Sequence, residues 1–246
     1  MKAPGVLFKS KRIFFYFVKY CNEKYRSGHD LRLYREIINM HRLTSDLDSL
    51  LNDESFYTKI MQTLEAWNMN QQGAELTSVD NFKESVLSLK SDLIDLYIYK
   101  LCSVNKVQIN NSMMKLLKNV FVKLKVMESK RRIVGVSKAL HFLLPDLVMP
   151  IDGKYTMFFF YGYNKYSDDA TAEFKTFADI FSKAHDITKK LCLTQHDVDG
   201  EKWNTSVPKL IDNAIIGFLK YIDNNSTESL LNILKELNEA DYREFS

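Results

Sequence analysis

Apolar residues recur along the chain at spacings of three and four positions, which is the period of an amphipathic helix. No segment shows the sustained alternation of apolar and polar residues that half-buried strands require. The pattern therefore predicts an all-α protein. Helices are expected at about residues 6–25, 30–43, 53–68, 78–103, 111–127, 130–144, 153–163, 170–191, 206–222 and 228–239.

The helix expected at 206–222 has the most regular apolar stripe. Ser206 is a suitable N-cap, and Pro208 falls in the first turn, where its missing N–H costs little. The stripe consists of Val207, Leu210, Ile211, Ala214, Ile215, Phe218, Leu219 and Ile222. We interpret this segment as a core helix and not as part of a ligand site, because the apolar face is unbroken.

The scarcity of glycine and proline supports the helical interpretation. Eight glycines and four prolines in 246 residues are few for a fold with many tight turns, and 46% hydrophobic residues disfavour disorder. We expect a single all-α bundle of about ten helices over residues 1–246. The alternative is two lobes, about 1–105 and 106–246, with a seam near Gly73 or near 105–112.

The three cysteines, Cys21, Cys102 and Cys192, are far apart and form no CxxC pair. They indicate neither a disulfide framework nor a thiolate zinc site, and they favour a reducing compartment. The longest apolar run near the start, 13–18, is too short for a signal peptide or a membrane span. We expect a soluble cytoplasmic protein with no membrane partner. The sequence contains no P-loop, dinucleotide fingerprint, GxSxG elbow or HExxH motif, so no cofactor and no metal are expected.

Positive charge is concentrated in one part of the chain. The net charge is +3, yet the segment 115–138 has eight basic residues against one acid, Glu128, and the tail 223–246 is acidic. The basic residues are Lys115, Lys118, Lys123, Lys125, Lys130, Arg131, Arg132 and Lys138. Such a run is typical either of a solvated helix face or of an anion-binding patch, for which duplex DNA is the candidate partner.

The same region contains the stretch RRIVGVSKALHFLLPDLVMPIDGKYT, residues 131–156. A glycine, Gly135, precedes an apolar helix that Pro145 ends. The segment before Pro150 is expected to be extended, because a residue that precedes proline avoids the helical region. Asp152 then falls at the N-cap of the next helix.

This order of features resembles the helix-hairpin-helix DNA glycosylase superfamily. The resemblance implies that the hairpin binds a DNA phosphate and that an aspartate supports the cationic sugar formed when an extruded base is cut from its deoxyribose. It assigns the carboxylate to Asp152. It assigns the phosphate contacts to Lys130, Arg131, Arg132, Gly135, Ser137 and Lys138.

Members of that superfamily that also cleave the strand use a lysine amine two residues beyond a second hairpin glycine. Counted from Gly135, that second glycine is replaced by Ser137 and the lysine position is occupied by Ala139. Lys138 is one residue away, a rotation of about 100° on a helix. The resemblance therefore implies a monofunctional glycosylase, if the protein is an enzyme.

Aromatic residues follow directly after Asp152. The run MFFFYGYNKY, residues 157–166, contains six of them. One interpretation is a pocket for an extruded base, with Phe158 and Tyr161 as its walls, and the other is ordinary core packing. Trp67 and Trp203 are isolated in the sequence, and each is interpreted as an anchor in the core.

Other interpretations stay open at this point. One is a non-enzymatic helical module that binds nucleic acid or protein. In such a module, Gly135 would only allow close helix packing and Asp152 would only cap a helix. A third hypothesis uses two His–Asp dipeptides, 185–186 and 196–197, because histidine and carboxylate can hold a metal that activates water. His141 and Asp212 would complete that site.

Overall fold

The computed structural model describes residues 3–25, 28–44, 46–71 and 74–243. The prediction of an all-α protein is confirmed: this part of the chain contains fourteen α-helices and no strand. Among the same residues, extended backbone pairs at one isolated bridge, between Leu76 and Met127. Gly73, where a seam between lobes was expected, lies outside the described residues.

The helices follow one another along the chain through connections of unequal length, the longest of which, 191–206, precedes α13. In the first half they are α1 (Ala3–Leu7), α2 (Lys11–Lys24), α3 (His29–Leu43), α4 (Leu47–Leu51), α5 (Glu54–Ala66), α6 (Val79–Ser88) and α7 (Lys90–Tyr97). In the second half they are α8 (Lys106–Gln108), α9 (Met114–Lys123), α10 (Ile133–Leu143), α11 (Phe158–Tyr161), α12 (Ala170–Lys190), α13 (Val207–Asn224) and α14 (Thr227–Arg243). Two π-helical turns, Ile109–Met113 and Gly153–Met157, lead into α9 and α11.

Two of the helices that were predicted as continuous are divided in the structure. The predicted helix 6–25 breaks because the Ser10 hydroxyl accepts a hydrogen bond from the Ile13 amide at 3.3 Å and starts α2 anew. The predicted helix 78–103 breaks at Leu89. The sequence prediction missed α4, which Asp46 caps. At both breaks the apolar period continues, so the period alone does not reveal where one helix ends and the next begins.

The centre of the fold is the contact between α2 and α13. The rings of Phe17 and Phe218 meet edge to face with centroids 5.1 Å apart. Beside them, a Cβ added to Gly217 would lie 2.0 Å from the carbonyl oxygen of Phe17. The two helix backbones can therefore approach this closely only because position 217 has no side chain.

A continuous cluster of buried apolar residues extends from α1 to α14. It contains residues from both of the lobes considered above, and α2 packs against α13 across the suggested boundary near residue 105. The two-lobe division stays a prediction, and the cleft described below is shaped by both halves of the chain.

None of the described helices has the combination of length and apolar character that a membrane crossing needs. The longest, α12, has 21 residues but charged side chains recur along it.

Replacement of Gly217 by alanine should destabilise the protein by roughly 1–3 kcal/mol or more, because the new methyl group meets backbone that cannot rotate away. Urea denaturation measures the change. The matched control is Gly5→Ala in α1, where an added Cβ meets nothing within 4 Å. Equal stability of the two variants would show that α2 and α13 can separate without cost.

Candidate functional site

A cleft of about 1080 Å³ opens beside the amino-terminal half of α10. Its walls come from the turn after α5, from α10, from the segment that leads into α11, and from the start of α13. Among its lining residues are Trp67, Lys130, Arg131, Lys138, Asp152, Lys154, Tyr155, Phe158, Trp203, Lys209 and Asp212. Cations and aromatic rings therefore surround Asp152.

Polar side chains on one face of α10 hold the extended segment 148–152 in place. The Ser137 hydroxyl accepts a hydrogen bond from the Ile151 amide at 3.1 Å. One turn later, His141 Nδ1 lies 2.7 Å from the carbonyl oxygen of Val148. Because Ser137 and His141 are fully buried, these bonds satisfy backbone groups that have no access to water.

The Asp152 carboxylate is held by the chain that follows it. Its Oδ1 accepts hydrogen bonds from the amides of Lys154 and Tyr155, at 2.8 and 3.3 Å. Its own amide donates to Thr156 Oγ1 at 3.1 Å. The side chain is nevertheless 32% exposed, and Oδ2 lies on the side of Lys138. Asp152 is thus both an N-cap and a cleft residue, so the two interpretations of it are compatible.

Lys138 extends into the same cleft. Its Nζ lies 3.4 Å from Asp152 Oδ2 and 5.6 Å from the centre of the Trp67 ring, and the side chain is only 8% exposed. The neighbouring Ala139 is buried in the core. The count from Gly135 did not reveal this contact between Lys138 and Asp152, because a count along one helix does not show which residues of another segment lie opposite it.

Gly135 lies within the first turn of α10, not in the connection 124–132 between α9 and α10. A Cβ at this position would lie 2.4 Å from Met127 Sδ, so the glycine makes room for that side chain. A helix-hairpin-helix element near Gly135 is not confirmed.

A carboxylate covers the start of α10, where the resemblance placed a phosphate. Glu173 Oε2 accepts a hydrogen bond from the Arg132 amide at 3.0 Å, and the Glu173 side chain is fully buried. Burial raises the pKa of this carboxyl group, while the amides around it oppose the shift. An anion approaching the start of α10 would therefore meet Glu173.

The predicted phosphate-binding residues separate into two groups. Lys130 and Arg131 line the cleft, and Arg131 Nε lies 3.4 Å from the carboxylate of Asp168 at the rim. Arg132 instead donates to the carbonyl oxygens of Phe121 and Val122 at the end of α9, at 3.4 and 3.0 Å. Arg132, Gly135 and Ser137 thus have structural roles here, whereas Lys130, Arg131 and Lys138 are at the cleft.

Of the two predicted base-pocket residues, only one lines the cleft. Phe158 is 54% exposed and lines the cleft. Tyr161 is turned towards α12, where its hydroxyl donates to Asp179 Oδ2 at 2.6 Å. The sequence interpretation missed Trp67 and Trp203, whose ring centroids are 6.1 Å apart in the wall of the cleft. No local pattern marks them, because they come from loops that are distant in sequence.

The interpretation of α13 as only a core helix is incomplete. Lys209 and Asp212, near its start, line the cleft although each is almost fully buried. The sequence does contain a signal for them: they are the two charges, three positions apart, in the mostly apolar run VPKLIDNAIIGF. Buried charges of this kind are more typical of sites than of cores.

The His–Asp hypothesis is contradicted by the structure. The ring of His185 is buried and its Nε2 lies 3.0 Å from the Val104 carbonyl oxygen. Asp197 is paired with Lys11 at 2.6 Å. Within the part of the chain that the structure describes, no three His, Cys, Asp or Glu side chains form a group that could hold a metal.

Comparison of the chain with protein-family models, with curated proteins and with solved structures gave no match. The resemblance of residues 131–156 to the helix-hairpin-helix glycosylases therefore stays a prediction. The chemistry of the cleft is the basis on which a function can be proposed.

His141 behind the cleft should make stability depend on pH. Its Nδ1–H donates to Val148, so Nε2 accepts from the Tyr34 hydroxyl at 2.9 Å and the ring is neutral. Burial lowers the pKa of His141 to about 3. The unfolded chain takes up this proton near pH 6.5. Between these values the unfolded state binds more protons, so the free energy of unfolding should fall as the pH falls, by up to about 1.4 kcal/mol per pH unit.

Urea denaturation of the wild type and of His141→Gln at pH 7.5, 6 and 5 measures this effect. The wild type should lose more stability than the variant over this interval, because glutamine does not titrate. Parallel losses in the two proteins would mean that His141 is not held neutral by the fold.

Proposed function

We propose that this protein acts on DNA as an N-glycosylase, cutting the bond between an extruded base and its deoxyribose, with Asp152 and Lys138 as the catalytic pair. The observation that carries this proposal is the 3.4 Å contact between Lys138 Nζ and Asp152 Oδ2 inside an open cleft with aromatic walls. A buried lysine beside a single fixed carboxylate is an arrangement suited to chemistry at a sugar carbon.

Asp152 would stabilise the positive charge that develops on the sugar as the bond to the base lengthens. The amides of Lys154 and Tyr155 and the hydroxyl of Thr156 already fix its orientation. A carboxylate held in this way needs no rearrangement during the reaction, which is the condition for effective electrostatic stabilisation. Oδ2 is the oxygen directed to Lys138 and is the one available to a substrate.

Lys138 supports a covalent route in place of the monofunctional one predicted from sequence. In its neutral form, the Nζ lone pair attacks the sugar C1′ while the bond from C1′ to the base breaks. The base leaves with that electron pair and takes a proton from water. Nζ passes one of its own protons through Asp152 to the ring oxygen O4′ as the bond from C1′ to O4′ breaks, which leaves the sugar joined to Lys138 as a protonated imine. Solvent therefore supplies the one proton that the amine does not.

The surroundings of the pair suit an extruded nucleotide. A cleft of about 1080 Å³ exceeds the volume of typical small-ligand pockets, so base and sugar can enter together. Phe158 and Tyr155 offer apolar surface for the base. Lys130, Arg131 and Lys154 at the rim offer charge to the flanking phosphates. This interpretation places DNA at the cleft and not along the face of α9. A cytoplasmic location stays part of the proposal.

Borohydride trapping tests the covalent route. A duplex with one abasic site should become permanently joined to the wild-type protein when borohydride is added, because reduction converts the imine to a stable amine. Lys138→Ala should abolish the covalent product, which denaturing electrophoresis resolves. Lys118→Ala on α9, an exposed lysine away from the pair, is the matched control and should retain trapping.

A panel of duplexes with single damaged bases tests the glycosylase step. Asp152→Asn should slow release of the accepted base by about 100-fold or more, since the amide has no charge to oppose that of the sugar. Trapping that survives in Lys138→Ala, together with undiminished base release by Asp152→Asn, would rule out this pair as the catalytic centre.

Salt dependence of binding locates the DNA. Lys130→Ala with Arg131→Ala should make the slope of log affinity against log salt shallower by about 1.8, because each lost phosphate contact contributes about 0.9. The control pair is Lys115→Ala with Lys118→Ala, which removes exposed lysines of α9. Fluorescence anisotropy with undamaged duplex gives both slopes. A larger change in the control pair would move the DNA from the cleft to α9.

A non-enzymatic nucleic-acid- or protein-binding module is the second candidate. The capping bonds from Asp152 Oδ1 and the covering of the start of α10 by Glu173 favour it, because both are ordinary structural roles. Binding to duplex DNA with neither trapping nor release of any base would support this candidate over the glycosylase.

A further inference from the structure

Lys209 and Asp212 form a second charged pair in the cleft, and the proposed chemistry does not use it. Lys209 Nζ donates to Asp212 Oδ2 at 2.5 Å and to Asn213 Oδ1 at 2.8 Å. The two charged side chains are only 4% and 6% exposed. A buried ion pair is weak evidence for stability, since apolar residues of similar volume often serve as well. Its position in the wall of a cleft requires another explanation.

A polar network fixes the pair from behind. Asn213, whose Oδ1 accepts a hydrogen bond from Lys209, donates through its Nδ2 to Asn204 Oδ1 at 2.9 Å. The Lys209 ammonium also lies 5.2 Å from the centre of the Trp203 ring. Asp212 and Lys209 are therefore held in one geometry before any ligand arrives, which reduces the entropy lost on binding.

The pair retains unused hydrogen-bonding capacity. Among the described residues, the only donor to the Asp212 carboxylate is Lys209, through Oδ2, so Oδ1 remains an acceptor. An ammonium has three hydrogens, and hydrogen-bond acceptors in the described part of the chain take two of those on Lys209. The wall of the cleft thus presents one acceptor beside one donor.

The two charged pairs act on each other. Burial raises the pKa of Asp212 and Lys209 opposes that shift, while Asp152 raises it further and Lys138 lowers it. Asp212 therefore lies within the electrostatic range of the catalytic pair proposed above. A base attached to a sugar at Lys138 and Asp152 would be near Lys209 and Asp212.

We propose that Lys209 and Asp212 read the hydrogen-bonding edge of the extruded base and select a lactam, in which a ring N–H stands beside a carbonyl oxygen. This inference rests on the proposed glycosylase function and names its substrate class. The ring N–H donates to Asp212 Oδ1, and the carbonyl oxygen accepts from Lys209. Hypoxanthine and uracil carry such an edge. A lactam N–H is more acidic than an aromatic amine and so bonds a carboxylate more strongly.

N-methylation provides a matched probe of this edge. Duplexes carry hypoxanthine or 1-methylhypoxanthine on a 2′-fluoro sugar, which resists cleavage, and anisotropy gives both affinities. The wild type should bind the hypoxanthine duplex about 10- to 100-fold more tightly, as expected for loss of a hydrogen bond to a charged group. Asp212→Asn should remove most of that preference. For each protein, we compare its affinities for the two duplexes as a ratio. Phosphate contacts contribute equally to both affinities and cancel in that ratio.

Asp212→Asn leaves Lys209 buried without its partner charge and can impair folding. The double variant Lys209→Met with Asp212→Leu replaces the whole pair by apolar residues of similar size. It should unfold cooperatively near the wild-type temperature and show no preference between the two duplexes. Tryptophan fluorescence gives an independent measure of duplex binding, because both tryptophans of the chain, Trp67 and Trp203, line the cleft.

The two proposals fail separately. Trapping of abasic DNA requires no base, so wild-type trapping combined with equal affinity for the two duplexes would overturn the role of Lys209 and Asp212 alone. Preference for hypoxanthine without any trapping would support the role of Lys209 and Asp212 and overturn the covalent chemistry. A double variant that keeps the full preference, or a preference for an adenine duplex over the hypoxanthine duplex, would also overturn this inference.

Discussion

The geometry of the cleft depends on one set of interactions, the hydrogen bonds from α10 to the extended segment 148–152. Ser137 and His141 lie one turn apart and bind the backbone at Ile151 and Val148. Lys138 is on the same face and reaches Asp152. Because both backbone bonds are buried, the segment cannot shift without leaving polar groups unpaired, and the carboxylate is therefore held at a fixed position relative to the lysine.

The same cleft contains two ion pairs at different depths. Asp152 is about one-third exposed, whereas both members of the Lys209–Asp212 pair are buried. In the two proposals, Asp152 and Lys138 supply charge at the reacting atom, and Lys209 and Asp212 supply hydrogen-bonding groups for recognition. Both proposals follow from this division, and each concerns a different part of one bound nucleotide.

Resemblance over residues 131–156 gave the position of Asp152 but misjudged its surroundings. Counting from Gly135 put Lys138 one residue away from the lysine position and did not show that its Nζ contacts Asp152, and Gly135 itself accommodates Met127 within α10. Arg132 was expected to face phosphate, yet it binds the end of α9. A short motif fixes the order of residues along the chain, whereas the partner of each residue depends on elements far away in sequence.

Short-range physics explains what the sequence determined by itself. The all-α class follows from the apolar period, and the caps at Ser206 and Asp152 follow from side chains that bind amides two or three residues ahead. Only the tertiary structure decided that Trp67, Lys138, Lys209 and Asp212 share one cleft with Asp152, since the end of α5, α10 and α13 each contribute to its walls. Contacts between residues that are distant in sequence depend on how all the apolar helix faces pack together. No short stretch of the sequence determines that packing.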